Sequence, residues 1–312
     1  MTRRDFLVST AAAALAPCAW PAVVAAPIPV IDTHTHFYDP DRPQGVPWPP
    51  KSEKLLHRTV LPSEYRKLTA PFHVVGTVIV EASEWVEDNQ WILDLAKDDP
   101  LIVGFVGHLK PGQPGFAANF RRFAANPLFR GLRIRPSDMQ NVGDPGFDGD
   151  LRLVVDASLT IDTLGGAAVL APTLKLSRTF PSLRIVVDHL PFKDWDGNPA
   201  AMRSALVELA ARPNVFVKVS AVVRRVDGKI IDDPAYYRPG LDVLCELFGP
   251  NRVVFGSDWP VSNKVAPYAK VHRVVADYFA TKTRGEAEQY FWRNSRAAYR
   301  WVPRGAAAAL AS

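Results

Sequence analysis

The most constraining feature of this sequence is a repeated alternation between two hydrophobic patterns. Short runs rich in Val and Ile, of strand length, are separated by longer amphipathic stretches with helical periodicity. The strand-like runs cover residues 30–34, 74–81, 102–108, 132–135, 159–164, 184–189, 215–220 and 253–258. Helical patterns lie between them, for example at 89–97, 116–125, 200–212, 236–248 and 265–280. Many runs are apolar on both faces, which is typical of parallel strands covered by other layers.

About eight strand–helix repeats in 312 residues predict an α/β fold of one domain, the (β/α)8 barrel. An open doubly wound sheet is the rival, but no GxGxxG turn follows the first run. We expect the barrel to span residues 27–304. The connection 37–61 is long and rich in proline, so Tyr38, Trp48 and His57 are expected to overhang the barrel mouth.

The two termini are predicted to lie outside the barrel. Residues 1–26 resemble a twin-arginine export signal, with Arg3 and Arg4 followed by an Ala-rich stretch and small residues. Cleavage near Ala25 or Ala26 would send the mature protein to the periplasm or otherwise out of the cytoplasm. Residues 305–312 are Ala-rich and predicted to form a flexible tail. No other stretch is apolar enough for a membrane span, so no membrane association of the mature form is expected.

Charge and cysteine content narrow the classes of partner. The net charge is +5, but basic residues are scattered among acidic ones without a dense Lys/Arg run, which argues against nucleic acid. A small-molecule substrate is the expected partner, and the sequence does not predict an oligomeric state. Cys18 would leave with the signal, so Cys245 would stand alone and no intrachain disulfide is expected.

Histidines and an aspartate fall where three of the predicted strands end. His34 and His36 are two residues apart, so alternation places them on one face, with Asp32 below them. His189 ends the sixth run and Asp258 ends the last. Ordinary alternation is expected to point both of these side chains inward. Because the carboxyl ends of barrel strands meet at one face, the four residues should converge, and imidazoles there favour a metal site.

These residues, in this order, resemble the amidohydrolase superfamily and its amidohydrolase-related branch, which includes sugar lactonases and dicarboxylate lactone hydrolases. The motif residues are Asp32-x-His34-x-His36, His189 and Gly-Ser-Asp-Trp-Pro at 256–260, and residues 214–220 also resemble the branch. The resemblance implies one divalent metal held by His34, His36 and His189, with Asp258 as ligand or general base. The catalytic pair would then be Asp258 and His189.

The resemblance also limits the metal content. Residues 131–135 lack the bridging lysine of binuclear members, and Asp162 stands where other branches have a histidine, so at most one metal is expected. Zn²⁺ is the first choice and Mn²⁺ the second. Because some lactonases of this branch work without metal, a metal-free site stays open.

Substrate-binding candidates are charged or aromatic residues near strand ends. Arg133 and Arg135 share one face of the fourth strand, and a guanidinium suits a carboxylate or sugar oxygens. An inward Lys218 would need a carboxylate partner or water. The remaining candidates are His108, Glu81, Arg224 and, for stacking on a sugar ring, Trp259.

Three functions stay open at this point. The first is hydrolysis of a sugar-acid or dicarboxylate lactone by water, with Asp258 as general base. The second is decarboxylation of an aromatic or unsaturated acid, although that branch carries a glutamate beside its first-strand histidines where Asp32 stands here. The third is a non-catalytic periplasmic barrel that binds a small molecule.

Overall fold

The computed structural model describes residues 26–192 and 198–310. Its central sheet has eight parallel strands in sequential order, which are β1 Val30–Thr35, β2 Val74–Val80, β3 Ile102–Gly107, β4 Phe129–Ile134, β5 Thr160–Thr163, β6 Arg184–Val187, β7 Val215–Val219 and β8 Val253–Phe255. A parallel bridge between Thr35 and Trp259 brings the chain after β8 back to β1. The structure therefore confirms the predicted (β/α)8 barrel.

One helix follows each strand on the outside of the barrel. The helices are α1 Pro62–Thr69, α2 Val86–Lys97, α3 Phe116–Ala124, α4 Pro145–Asp156, α5 Ala167–Thr179, α6 Pro199–Ala210, α7 Pro234–Phe248 and α8 Tyr268–Phe279. Four of them begin with proline, which suits the first helical position because its missing N–H has no partner there. The helical patterns named as examples fall in α2, α3, α6, α7 and α8, and those of α1, α4 and α5 are weaker. Physical reasons are the short length of α1, the glycines of α4 and Pro172 within α5.

Shorter elements complete the chain. After α8 come α9 Arg284–Glu288, a π-helical turn Gln289–Arg293 and α10 Asn294–Tyr299. A small antiparallel hairpin pairs Arg225–Val226 with Lys229–Ile230 after β7. The 3-10 turns are Ala70–Phe72, Asp138–Asn141, Val261–Lys264 and Gly305–Leu310.

Two apolar clusters build the core. The outer cluster packs helices onto strands and includes Tyr65, Phe105, Phe129 and Tyr237. The inner cluster fills the barrel and includes Ile31, Val78, Val103, Val186, Val254, Tyr299 and Trp301. The carbonyl of Ala298 accepts hydrogen bonds from Thr160 and Arg184, at the start of β5 and β6. The segment after α10 therefore closes the amino end of the barrel.

The C-terminal Ala-rich segment differs from its prediction. Gly305–Leu310 is a 3-10 helix rather than a flexible tail, because Ala307 is fully buried in the inner cluster. The carbonyl of Leu310 accepts a hydrogen bond from Arg296. Small side chains here allow close packing against the barrel end, whereas residues 311–312 lie outside the described residues.

The predicted export signal, with Arg3, Arg4 and Cys18, lies almost entirely outside the described residues. Within residues 26–192 and 198–310, no helix combines the length and apolar character needed to cross a bilayer. Cys245 is a free thiol in the described part of the chain.

Candidate active site

The four predicted site residues meet at the carboxyl end of the barrel. His36 Nε2 lies 3.3 Å from Asp258 Oδ1, and His34 Nε2 lies 3.5 Å from the same oxygen. The imidazole centroids of His34 and His189 are 4.7 Å apart. All four side chains are buried. Three strands that are distant in sequence therefore deliver three imidazoles and one carboxylate to one point.

Left-handed backbone conformations aim two of these residues. His189 has φ 60° and Asp258 has φ 62°, a region that costs energy for residues with a Cβ. Within β6, Val186 belongs to the inner cluster and Val187 to the outer one, so strict alternation would send His189 outward. The left-handed turn brings His189 inside together with Asp188. The expectation that ordinary alternation suffices is therefore wrong.

The first strand also departs from simple alternation. Ile31 packs inside the barrel, whereas Asp32 accepts a 2.6 Å hydrogen bond from the hydroxyl of Tyr65 in α1. Asp32 thus faces the helix layer and does not lie below the histidines. A register shift against β2 between Asp32 and Thr35 lets His34 and His36 face inward.

Asp32 instead links β1 to the segment that follows β8, and we call this junction, where the barrel closes, the seam. Its Oδ1 accepts hydrogen bonds from the backbone N–H of His34 at 3.1 Å and of Ser257 at 2.8 Å. Burial raises the pKa of Asp32, although these hydrogen bonds and that from Tyr65 lower it in part. Because the seam carries His34 on one side and Asp258 on the other, Asp32 positions both without touching the cavity.

A glycine at position 256 makes room for the site. A Cβ there would lie 2.8 Å from Cβ of His34 and 3.0 Å from Cδ of Lys218, which is closer than real contacts allow. Close approach between the two strands therefore requires glycine.

The contacts of His36 call for a cation or a proton beside its Nε2. Its Nδ1 lies 2.9 Å from the carbonyl oxygen of Val80, which can only accept, so Nδ1 carries the proton. The bare lone pair of Nε2 then faces the carboxylate of Asp258 at 3.3 Å. A lone pair and a carboxylate repel each other unless a cation or a proton lies between them.

The other two imidazoles fit the same metal. His34 Nδ1 lies 3.6 Å from Asp188 Oδ1, and its buried Nε2 has no hydrogen-bond partner among the described residues. Burial lowers the pKa of His34 well below its usual range, so the ring is neutral as a ligand requires. Ser220 Oγ lies 2.9 Å from Nδ1 of His189 and leaves its Nε2 for the cavity. Hydroxyl partners such as Ser220 orient metal-binding histidines. The polar atom nearest to His34 Nδ1 is Lys218 Nζ, at 3.3 Å.

Two overlapping groups could hold the ion. One contains His34, His36 and Asp258, and the other contains His34, Asp188 and His189, with ligand atoms within 4.8 Å of one another in each group. Burial raises the pKa of Asp258, but the nearby imidazoles outweigh this effect and bring its pKa below the ordinary value. Asp258 is therefore ionised, as a metal ligand or a proton acceptor must be. These donors fit one divalent cation.

A buried charge network lies behind His34. Lys218 Nζ lies 2.8 Å from Asp162 Oδ2 and 2.8 Å from Asp188 Oδ1, with all three side chains fully buried. A carboxylate or water was expected beside an inward Lys218, and the structure supplies two carboxylates. Burial lowers the pKa of Lys218, but the two carboxylates raise it above its usual value. Asp258 is therefore the carboxylate left for an added cation.

The two aspartates of this network titrate differently. Burial raises the pKa of Asp162 to about 7, although Lys218 and Tyr299 oppose it. Burial also raises the pKa of Asp188, but Lys218 and His34 outweigh it and bring the value well below the usual range. Sequence reasoning missed Asp188, because alternation allowed only one of the adjacent pair 188–189 to face inward.

Above the histidines lies a cavity of about 470 Å³ lined in part by His36, Trp48, Arg133, Arg135, His189 and Asp258. Arg133 binds Glu81 twice, through Nε to Oε1 at 3.0 Å and through NH2 to the carbonyl at 2.8 Å. Arg135 lies 3.8 Å from Glu81 and 3.4 Å from Glu84. The two predicted arginines therefore reach the cavity, and glutamates neutralise both.

Two other predicted substrate-binding residues, His108 and Arg224, do not line this cavity. His108 is buried away from the cavity lining, and neither ring nitrogen has a hydrogen-bond partner in the described part of the chain. The backbone N–H of Arg224 donates to the hydroxyl of Tyr237, and its side chain does not line the cavity.

Trp259 does not stack on a ligand in this cavity. Its ring is buried 5.2 Å from that of Tyr65 and 6.1 Å from that of Phe37, in the outer core. Its predicted stacking role is therefore wrong, because the turn at Asp258 directs the next side chain outward. Trp48, on the long loop after β1, lines the cavity instead.

Comparisons with known proteins agree with this geometry. An L-fucono-1,5-lactonase of Burkholderia ambifaria is 31% identical over 236 residues, which are 74% of this chain and 80% of that protein. An L-fucono-1,5-lactonase of Burkholderia multivorans is 27% identical over 305 residues, covering 90% of this chain and 98% of that protein. A crystal structure of an amidohydrolase from Burkholderia multivorans with bound zinc matches with a TM-score of 0.78 and 26% identity, covering 88% of this chain and 99% of that chain.

The family profile described as Amidohydrolase matches residues 31–301. That range begins within β1 and includes all four converging residues and both aspartates of the network behind them. The chain therefore belongs to the amidohydrolase family.

Proposed function

We propose that this protein hydrolyses the lactone of a sugar acid. The observation that carries the proposal is the convergence of His34, His36, His189 and ionised Asp258 at the floor of a cavity of about 470 Å³. Its lactonase relatives support the same reaction class. The reaction forms a bond between a water oxygen and the lactone carbonyl carbon, and it breaks the ring C–O bond.

Asp258 is the proton acceptor in this scheme. Its carboxylate is held between the imidazoles and lines the cavity, where a water can lie between it and the substrate. Asp258 takes the proton of the attacking water and returns it to the alkoxide that leaves when the ring opens. His189, held by Ser220, keeps its Nε2 directed at the same region.

A divalent ion held by His34, His36, His189 and Asp258 would supply Lewis acidity, either to the water or to the lactone carbonyl. Imidazoles with one carboxylate favour Zn²⁺ first and Mn²⁺ second. Turnover without metal is the alternative, in which the buried cations and imidazoles polarise the carbonyl.

The charges at the mouth favour a sugar lactone over a dicarboxylate lactone. A second carboxylate on the substrate needs an unpaired cation, but Arg133 and Arg135 are already balanced by Glu81 and Glu84. Burial raises the pKa of Glu81, yet these arginines and His108 lower it below its usual value, so Glu81 stays charged. Paired guanidinium and carboxylate groups suit the hydroxyls of a neutral polyol.

The decarboxylase alternative gains no such support. It calls for a first-strand carboxylate beside the histidines, and Asp32 is instead engaged by Tyr65 and two backbone N–H groups. A non-catalytic binding barrel has no use for the ionised Asp258 beside three imidazoles. Stoichiometric binding of lactones without acid release would nevertheless favour it.

The test is acid release from a panel of aldonolactones and dicarboxylate lactones. The enzyme is assayed as purified, after chelation, and after addition of Zn²⁺ or Mn²⁺. We expect sugar lactones to be opened, with activity lost on chelation and restored by metal. Activity indifferent to chelation points to the metal-free route, and absence of acid release from all lactones rejects the proposal.

We also propose export through the twin-arginine pathway, which rests on the sequence of residues 1–26 alone. Fractionation of cells that express the full chain tests this proposal, with Arg3 and Arg4 both changed to lysine as the comparison. Equal distribution of both forms would reject it.

A further inference from the structure

The long loop between β1 and α1 is held against the barrel by a buried ion pair. Arg42 NH1 lies 2.9 Å from Asp88 Oδ1 in α2, and the two side chains are only 7% and 10% exposed. The guanidinium also lies 4.5 Å from the ring centroid of Trp91. Such stacking adds to the ion pair because the aromatic face is electron-rich. Buried contacts therefore hold the loop against α2.

The same guanidinium also shapes the loop itself. Arg42 Nε donates to the carbonyl of Asp39 at 3.2 Å, and NH2 donates to that of Gly45 at 3.1 Å. One side chain thus fixes both sides of the turn that leads to Trp48. Further along, Tyr38 and Val60 form an antiparallel bridge that closes the loop at its base.

Trp48 lies between this anchor and the active site. It lines the cavity of about 470 Å³ on one side, and on the other a small space of about 20 Å³ that Arg42, Asp88 and Trp91 also line. Its ring centroid is 6.1 Å from that of His36 and 5.4 Å from that of Tyr38. An indole held over the metal-binding histidines on a fastened loop is preorganised to contact whatever lies on them.

We propose that Trp48 is a specificity-determining residue that stacks on the C–H face of the lactone ring, and that the Arg42–Asp88 pair positions it. This inference rests on the proposed function. A sugar ring has polar edges and a face of C–H bonds, and that face complements the negative face of an indole. Among the described residues that line the cavity, Trp48 carries the largest aromatic surface. The paired charges of Arg135 and Glu84, which both line the cavity, then meet the hydroxyl edge.

The experiment measures kcat and KM on the best aldonolactone of the panel. Trp48→Ala is expected to raise KM about tenfold, in line with the worth of an aromatic contact, with kcat within about threefold of the wild type. Trp48→Phe is expected to restore most of the affinity, because a smaller aromatic face remains. An unchanged KM in Trp48→Ala would overturn the inference. Circular dichroism and thermal unfolding confirm that each variant is folded.

The positioning role of Arg42 is tested by a double-mutant cycle. The Arg42→Met, Asp88→Asn variant removes the pair without leaving a buried charge alone, and it is expected to raise KM about threefold to tenfold. In the Trp48→Ala background the same change is expected to leave KM unaltered, because its effect passes through the indole. Equal effects in both backgrounds would overturn the positioning role.

The same loop offers a matched control. Arg58 pairs with Glu64 at the surface, with side chains 40% and 44% exposed, so Arg58→Met should leave KM unchanged. A wild-type enzyme that opens no lactone would reject the proposed function and this inference together. Active wild type with an unaffected Trp48→Ala variant would reject the inference alone.

Discussion

The two ends of the barrel interior are built in opposite ways. At the amino end, Ile31, Val103, Val254, Trp301 and Ala307 pack as a closed apolar cluster. At the carboxyl end the interior is filled with charged groups, imidazoles and left-handed backbone. Apolar burial stabilises the amino end, and no charged group has to be removed from water there. At the carboxyl end, burying charged groups lowers the stability of the fold but holds reactive groups in place.

This difference teaches where function is separable from folding. Polar groups at the carboxyl end mostly face one another: Lys218 pairs with Asp162 and Asp188, and His36 Nε2 and Asp258 Oδ1 face each other at 3.3 Å. Changes there should alter activity and stability independently of each other. Changes at the amino end should alter stability alone.

The largest expected effect is that of Asp258→Asn on turnover. An amide of the same shape cannot accept the water proton, so kcat/KM should fall about 10³-fold or more. The unfolding free energy should change by no more than about 1 kcal/mol, because a buried charge is removed along with its contacts. Lactone hydrolysis and urea unfolding measure the two quantities. Asp156→Asn, exposed at the end of α4, is the control, and full activity in Asp258→Asn would contradict the mechanism.

A smaller effect is expected for Lys218→Met, which leaves Asp162 and Asp188 buried without their cation. The unfolding free energy should drop by about 3–5 kcal/mol, since breaking a buried pair strands its charge. Adding Asp162→Asn and Asp188→Asn should recover part of that loss.

At the opposite end of the barrel, Val103→Ala should lower the unfolding free energy by about 1–3 kcal/mol and leave turnover unchanged. A larger loss from Val103→Ala than from Lys218→Met would reverse the comparison.

The smallest expected effect is on the unfolding free energy at acid pH, and it comes from a histidine that lies at neither end of the barrel interior. Burial lowers the pKa of His272 in α8 from 6.5 to about 4, and its ring lies near those of Phe72 and Phe291. Between these pKa values the unfolded chain binds a proton that the folded chain does not. The stability present above pH 6.5 is therefore lost as pH falls toward 4, by about 1–3 kcal/mol.

His272→Phe should remove that part of the pH dependence. Urea unfolding of both proteins at pH 7 and pH 5 gives the difference, which should shrink in the variant. An identical loss in both would assign the acid sensitivity to the buried network at the carboxyl end instead.

Much of the scaffold could be predicted from the sequence, and the failures have local causes. The short, continuous apolar runs predicted all eight strands, because burial on both faces demands Val and Ile there. Helices α1, α4 and α5 have a weaker helical pattern because of their proline, glycine or polar content. The C-terminal alanines indicated a tail, but Ala307 finds a packing partner only in the assembled barrel.

The site, too, has a part that could be predicted from the sequence and a part that could not. The spacing of His34 and His36 and the aspartate at 258 were enough to predict which residues converge, as strand ends meet at one face of a barrel. The partners of Lys218 could not be identified, because Asp162 lies 56 residues away and Asp188 was hidden by alternation. Trp48 lies at the barrel mouth as expected, whereas Trp259 packs in the outer core because the turn at Asp258, and not a strand, directs its side chain.

The sequence by itself determined the barrel, its family and the chemical nature of the donors, because residue type and spacing are local properties of the chain. Only the tertiary structure decided that His189 turns inward, that Asp32 fastens the seam and that Trp48 lies over the histidines. Each of these depends on backbone conformations or on contacts between distant segments, and those are fixed by packing rather than by the pattern of any one segment.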